Sequence, residues 1–436
     1  MKTLKALLLK RRSSASSTPG TTARMVVVMT QPTLPSELIE AIIEEVGAKD
    51  DITTLKQCAL VSKDFVYEAQ KVLFRKIDLD RRLPRKKYYQ RFHRLLSASP
   101  HIGEYVRELH LGDGGEEDFG TDESWITTAK SLPATLQLLP RVEDFSLSFN
   151  AELTSWKSLP ADLRSSLSAL FRRPALQRVA LEFITRFPPQ LLMALGQVRT
   201  LSLSCVEVDA LGAVAVDAEY RARWTMRLEN LFLRGTSPAT IRVIAGALAG
   251  ARTPTLRRLA LTPTFEEGFA DAASELITRS GEDLETLEWL PSIHFSASSG
   301  TINLALLQQL RTLRFSVSFR KSHVHGPFPE VLRLLDALTG AAPRSPVTHI
   351  EIDCHCVRVQ SGIGAVWRPL DEMLARAAFA GLAELRVRMC TTTTSAGERA
   401  CFVEAFQDLL PLLESRGGTR IVLETRTDLP VWCGKE

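Results

Sequence analysis

The sequence predicts an α/β chain. A small all-helical segment near the amino end is followed by an irregular solenoid, with parallel strands on its concave face and helices on its convex face. Three observations predict it. The six-residue pattern L-x-x-L-x-L recurs along most of the chain. Between its copies lie stretches with apolar residues at helical spacing, such as "SPATIRVIAGALAG" (237–250) and "FPEVLRLLDALTG" (328–340). Ahead of the copies, "LPSELIEAIIEEV" sets Leu38, Ile39, Ile42, Ile43 and Val46 three or four apart, an apolar stripe along a helix.

Residues 1–31 read as a basic tail. Residues 1–36 hold Lys2, Lys5, Lys10, Arg11, Arg12 and Arg24 and no carboxylate, so they contribute +6 to a net charge of +4. The remainder has 48 basic and 50 acidic residues, a charge of −2. A body so balanced lacks the positive excess that draws a protein to nucleic acid. An acid-free, Arg- and Ser-bearing start reads either as a disordered tail or as a mitochondrial transit peptide. Its "ALLL" is too brief for a secretory core, and no apolar run approaches the length of a membrane span. Cys58, Cys205, Cys354, Cys356, Cys390, Cys401 and Cys433 are scattered and odd in number, and no Asn-x-Ser/Thr acceptor occurs. Reduced thiols in the cytosol or nucleus are expected.

Residues 32–74 read as three helices. The first ends at "GAKDD", with Gly47 as a stop and Asp50 or Asp51 as the next N-cap. The second carries Leu55, Cys58, Ala59 and Val61; Ser62 caps a third that presents Phe65, Ala69, Val72 and Leu73. Three helices in about 40 residues bury too little apolar surface to be robust alone, so they need a neighbour.

Residues 75–436 read as the solenoid. Copies of the pattern begin at 106, 142, 176, 198, 228, 256, 284, 310, 347 and 382. "FRKIDL" at 74 is a plausible first copy and "RIVLE" near 420 a degenerate last one; the ten copies are spaced 22 to 37 residues apart. No single copy can bury the apolar residues at its positions 1, 4 and 6, but stacked neighbours can. This period and pattern resemble a leucine-rich-repeat solenoid, with longer and less regular repeats than usual. Position 9, which typically bonds the adjacent turn through Asn or Cys, matches in kind only at Asn150 and Cys390; Thr236, Thr264, Ser292 and Ser318 are polar substitutes.

Positions 2, 3, 5, 7 and 8 are expected on the concave side. At about 4.8 Å per strand, ten strands give a sheet on the order of 45 Å long. Its position-5 column reads His110, Ser146, Ala180, Ser202, Phe232, Ala260, Glu288, Arg314, Glu351, Arg386. The alternating charges in the second half admit two readings. One is a ladder of mutually paired charges. The other is a polar docking strip for a target protein, with Glu288, Arg314, Glu351 and Arg386 as contacts and exposed Phe232 as its aromatic anchor.

Other stretches carry less. "RRLPRKKYYQRFHR" (81–94) interleaves basic and aromatic residues, as a nucleic-acid surface would. It fits better as the first repeat helix, aromatics inward and basic residues in water. "GDGGEEDFGTDE" (112–123) lacks the ligand spacing of a calcium loop and reads as a mobile loop. His349, Cys354, His355, Cys356 and Cys390 form the densest set of potential metal ligands, but they lie in strands, whereas structural zinc ligands sit two to four apart in a turn. No metal and no cofactor are expected. Neither a GxxxxGK[ST] loop nor a GxSxG elbow occurs, and no enzyme activity is expected.

Residues 34–74 resemble an F-box. The matching features are Leu34-Pro35, Glu37-Leu38-Ile39, Ile42-Ile43, Leu55 and "LVSKDF", in which Val61, Ser62 and Phe65 stand where that family has Val, a small residue and Trp. Phe65 in place of Trp and the longer loop "GAKDDITT" are departures. An F-box followed by leucine-rich repeats resembles the substrate-recognition subunit of a Skp–cullin–F-box ubiquitin ligase. The resemblance implies that Leu34, Pro35, Leu38, Ile39, Ile42, Leu55, Val61 and Phe65 dock on a Skp-type adaptor, and through it on a cullin–RING ligase. The solenoid would hold an unknown target protein for ubiquitination. No nucleic acid and no membrane enter this reading, and cytoplasm or nucleus would be its place. The alternative is a repeat-based interaction scaffold outside any ligase, in which "LPSELIEAII" caps the solenoid.

Overall fold

The structure, a computed structural model, describes residues 34–49, 51–79, 85–113, 124–149, 153–209, 227–250, 256–264, 266–281, 283–290, 304, 307–319, 328–339, 345–356, 363–391 and 410–426. The basic tail, residues 114–123 of the acidic insertion, Asn150, Ser292, Cys401 and Cys433 lie outside them. The chain divides into two compact units, with the division between Glu68 and Ala69.

The first unit is helical. Helix α1 spans Ser36–Ala48, α2 Ile52–Cys58, and α3 Lys63–Leu73, which carries the division. Pro35 precedes α1 with φ −54°, a value its ring fixes and which suits helix entry. Gly47 does not stop α1: the helix runs to Ala48, and the Lys49 N–H still reaches the Val46 carbonyl at 3.3 Å. A glycine permits a left-handed turn without compelling one. Asp51 caps α2, accepting a hydrogen bond from the Thr54 N–H at 2.9 Å. A bond from the Thr54 hydroxyl, with that backbone bond, holds the Asp51 carboxyl below its ordinary range. Ala59 and Val61 fall beyond the end of α2, which is shorter than its apolar spacing predicts. Ser62 caps α3 weakly, its Oγ 3.5 Å from the Phe65 N–H. Ile39, Ile43 and Leu55 are buried.

Among the described residues, the second unit holds a thirteen-stranded parallel sheet whose strands follow one another almost in chain order. They are β1 (Lys76–Leu79), β2 (Glu108–Gly112), β3 (Asp144–Ser148), β4 (Thr154–Ser155), β5 (Arg178–Phe187), β6 (Thr200–Val208) and β7 (Asn230–Arg234). Then come β8 (Arg258–Thr262), β9 (Thr286–Trp289), β10 (Thr312–Phe319), β11 (His349–Cys356), β12 (Glu384–Thr391) and β13 (Arg420–Arg426). Only β4 leaves the sequence, pairing with the far half of β5. A strand in each copy of the pattern, "FRKIDL" included, begins at the third residue of that copy.

One hydrogen-bond device joins successive copies. The carbonyl of the second residue accepts from the second and third N–H groups of the next copy. Arg75 O thus takes Arg107 N at 2.8 Å and Glu108 N at 2.9 Å, and Arg311 O takes Thr348 N at 2.9 Å and His349 N at 3.0 Å. Positions 1, 4 and 6 form the core: in all ten copies these residues are at most 3% exposed. Position 8 does not face outward in the longer strands. Val317 and Cys354 are buried because β10 and β11 keep the two-residue alternation for eight residues. Parallel crossovers share one hand, so strands that always advance in one direction carry their connections on one side of the sheet. Helices such as Ala161–Phe171, Pro238–Gly250, Phe269–Ser280 and Pro329–Thr339 lie in these connections. The opposite face stays half-exposed, as in the alternation of half-buried and buried residues along β3 and β7.

Two local features were not read from the sequence. Trp156, following β4, packs edge-on to Phe187 at 5.1 Å between ring centroids, which seats the extra strand against the core. Cys205 interrupts the alternation of β6 with φ 50°. Its neighbour Gly235 (φ 55°) is confined by that thiol, because a Cβ there would lie 2.9 Å from the Cys205 Sγ.

Candidate functional site

The first unit places its predicted contact residues in two groups. Leu34 is 50% exposed, Leu38 51%, Ile42 44% and Val61 68%. Pro35 is exposed as well, and Phe65 is half-buried. Ile39 and Leu55 are buried and have little surface to offer a partner. The split follows from helix geometry. In α1, Leu38 and Ile42 are one turn apart on one face, whereas Ile39 and Ile43, one residue on, point inward. Sequence spacing alone merges the two pairs into one stripe. Ile52, Leu60 and Tyr67 join the exposed set; the sequence reading placed Ile52 in a loop and named none of the three as a contact. Large apolar side chains scattered singly over a surface need no explanation, but this many within one short helical unit do.

On the sheet, the position-5 column follows the observed register. His110 pairs with Ser146, and the chain of partners runs through Ala180, Ser202, Phe232, Ala260, Glu288, Arg314 and Glu351 to Arg386. In its second half the charges are paired with one another. Glu288 is buried and ion-paired with Arg258. Arg314 lies 3.8 Å from Glu288 and 3.9 Å from Glu351, and donates to Asp353 at 2.6 Å. Arg388 binds Glu351 at 2.6 Å and Asp353 at 3.3 Å, while Arg386 binds Glu384 at 2.8 Å. Burial disfavours the charged Arg388, but the carboxylates of Glu351 and Asp353 outweigh that and raise its pKa. Positions 3 and 7 therefore complete the network, and reading position 5 alone missed Arg258, Asp353 and Arg388. At position 7 the opposite charges of Asp353 and Arg388 on neighbouring copies were the available signal; position 3 offered none for Arg258.

Phe232 is not a free anchor. It is half-buried, and the Arg258 guanidinium lies over its ring at 5.3 Å from the centroid, a cation–π arrangement. The arrangement couples the aromatic ring to Glu288 through their shared arginine.

The remaining candidates fall into place. In the helix Arg85–Ala98, Tyr89 and Phe92 are buried as expected, but Tyr88 is 40% exposed. Tyr89 sits within 2.8 Å of Ser131 Oγ and 3.1 Å of Thr135 Oγ1, which satisfy its hydroxyl. At position 9, Thr236 donates to the Leu203 carbonyl of the preceding copy at 3.3 Å, the substitute bond that the sequence suggested. Cys354 is buried on the core side of β11, and burial lowers the pKa of His355 against a smaller opposing effect of Asp353. No helix among the described residues is long and apolar enough to cross a membrane.

No protein-family model matches the chain, and no curated protein matches it.

Proposed function

We propose that the chain is an F-box protein with divergent leucine-rich repeats. It acts as a non-catalytic adaptor that docks on a Skp-type protein and presents a bound target for ubiquitination by a cullin–RING ligase. The observation that carries the reading is the exposed apolar set Leu34, Leu38, Ile42 and Val61 on a helical unit too small to enclose it. Fully burying such a side chain yields about 1.5–3 kcal/mol. For half-exposed residues, covering these four contributes about 5 kcal/mol before association costs. Ile39 and Leu55 take the supporting role of holding the helices together, and Phe65 shares both roles. The half-exposed face of the sheet, with Phe232 and Arg386 on it, is the surface offered to a target. The protein's contribution to transfer would be proximity, raising the effective concentration of the target near enzymes supplied by partners.

The test is binding of purified full-length chain to a purified Skp-type adaptor at micromolar concentration. Wild type should form a complex. The double substitution Leu38→Asp with Ile42→Asp should abolish it while leaving the circular dichroism spectrum unchanged. A wild-type chain that ignores the adaptor at those concentrations would overturn the reading in favour of an interaction scaffold outside any ligase.

A further inference from the structure

A second cluster of chemically capable side chains lies on β2 and β3, near the start of the sheet and many strands from the charge network. Glu108 and His110 are two residues apart on β2 and so project from the same face. Asp144 on β3 is the register partner of Glu108. One ligand atom from each of the three falls within 4.8 Å of the other two, and all three residues are half-buried. The Nε2 atom of His110 is buried and has no hydrogen-bond partner. Glu108 and Asp144 set two carboxylates side by side on adjacent strands, an arrangement that is destabilising unless something positive lies between them. Each carboxylate has a basic residue on its outer side, Lys76 as the register partner of Glu108 and Arg178 donating from Nε to Asp144 Oδ2 at 2.8 Å, but neither lies between the two.

We propose that Glu108, His110 and Asp144 form a binding site for a first-row divalent metal ion, zinc(II) in particular. An ion there would use the orphaned imidazole nitrogen and neutralise the paired carboxylates in one step. The donor set selects the class: imidazole suits zinc and its neighbours, whereas calcium and magnesium take oxygen ligands throughout. Ligand atoms at about 2.0–2.2 Å from a tetrahedral zinc stand about 3.5 Å apart, so small side-chain rotations would close the observed triangle. Three protein ligands leave a fourth position for water. Arg178 would be the outer partner that orients Asp144. The site would tie β2 to β3 on the face opposite the helices, and it does not depend on the adaptor reading.

The test uses full-length protein stripped of metal with a chelator, then titrated with zinc chloride against a chromophoric competitor. One equivalent should bind to wild type. His110→Ala, Glu108→Gln and Asp144→Asn should each weaken that binding by at least about tenfold. Zinc should raise the Tm of wild type and not of Glu108→Gln, whose shape-conserving change leaves the fold to decide nothing. Should His110→Ala fail to fold, the other two variants carry the test. Absence of tight zinc uptake by wild type, or equal uptake by all variants because thiols elsewhere take the metal, would overturn the proposal.

Discussion

At the scale of single residues, the most demanding position is Asp353. It is 1% exposed and lies against two arginines, Arg314 and Arg388. Two charges taken out of water in this way are stable only while both signs are present. Asp353→Ala should therefore destabilise the protein by about 3–5 kcal/mol, read as a fall in the urea midpoint at constant slope. The neighbouring His355 makes a separate prediction. Burial holds its folded pKa below the ordinary 6.5. Between the two pKa values the unfolded chain binds the extra proton and the folded chain does not, so stability rises with pH there. His355 should cost nothing well above pH 6.5 and should erode stability as the pH falls below it. Comparing urea midpoints at pH 7.5 and 5.5 checks this, and His355→Gln should shrink the difference.

At the scale of elements, helix α1 separates function from packing by one residue. Ile42 is 44% exposed and Ile43 fully buried. Ile42→Asp should leave stability within about 0.5 kcal/mol of wild type, the usual range for surface changes. Ile43→Ala should lose about 2–5 kcal/mol through the cavity it creates. Thermal melts of the two variants would settle the contrast, and equal losses would mean that the stripe is core throughout. The element boundaries show what was legible beforehand. The placing of one strand in each copy was, because apolar residues at positions 4 and 6 share one face of a strand. Helix ends were less so: Gly47 admits helix as readily as turn, and Val61 keeps the helical spacing although α2 has already ended at Cys58. The charge network was half legible. Position 5 was read, but diagonal partners such as Arg314 and Asp353 meet only when the strands are laid side by side.

At the scale of the whole molecule, the sheet is a one-dimensional stack in which each strand leans on the strands before and after it. Stability in such a stack is a sum of neighbour interfaces, and the terminal strands, like the off-path β4, have one interface where the strands between them have two or more. The residues of β13 from Ile421 to Glu424 are only half-buried, whereas core positions of β5 to β8 are closed to solvent. Native-state hydrogen exchange should therefore open β1 and β13 first and β5 to β8 last. Uniform exchange along the sheet would point to a single cooperative block. Asp371 reduces the fraying at one end: it is buried and accepts from Leu412 N at 3.0 Å and Leu413 N at 2.9 Å, capping the helix Pro411–Arg416.

The sequence by itself determined the repeating strand, the residues that form its core and the column on its open face. All of these follow from a local period, which the backbone geometry turns directly into direction. Only the tertiary structure decided which charges are spent on one another, that Phe232 lies beneath Arg258, and that an imidazole with one buried, unpartnered nitrogen stands beside two carboxylates. Those facts depend on side chains from different copies, 22 to 37 residues apart along the chain, meeting across the sheet. A period specifies which way a side chain points. It does not specify what that side chain will find there.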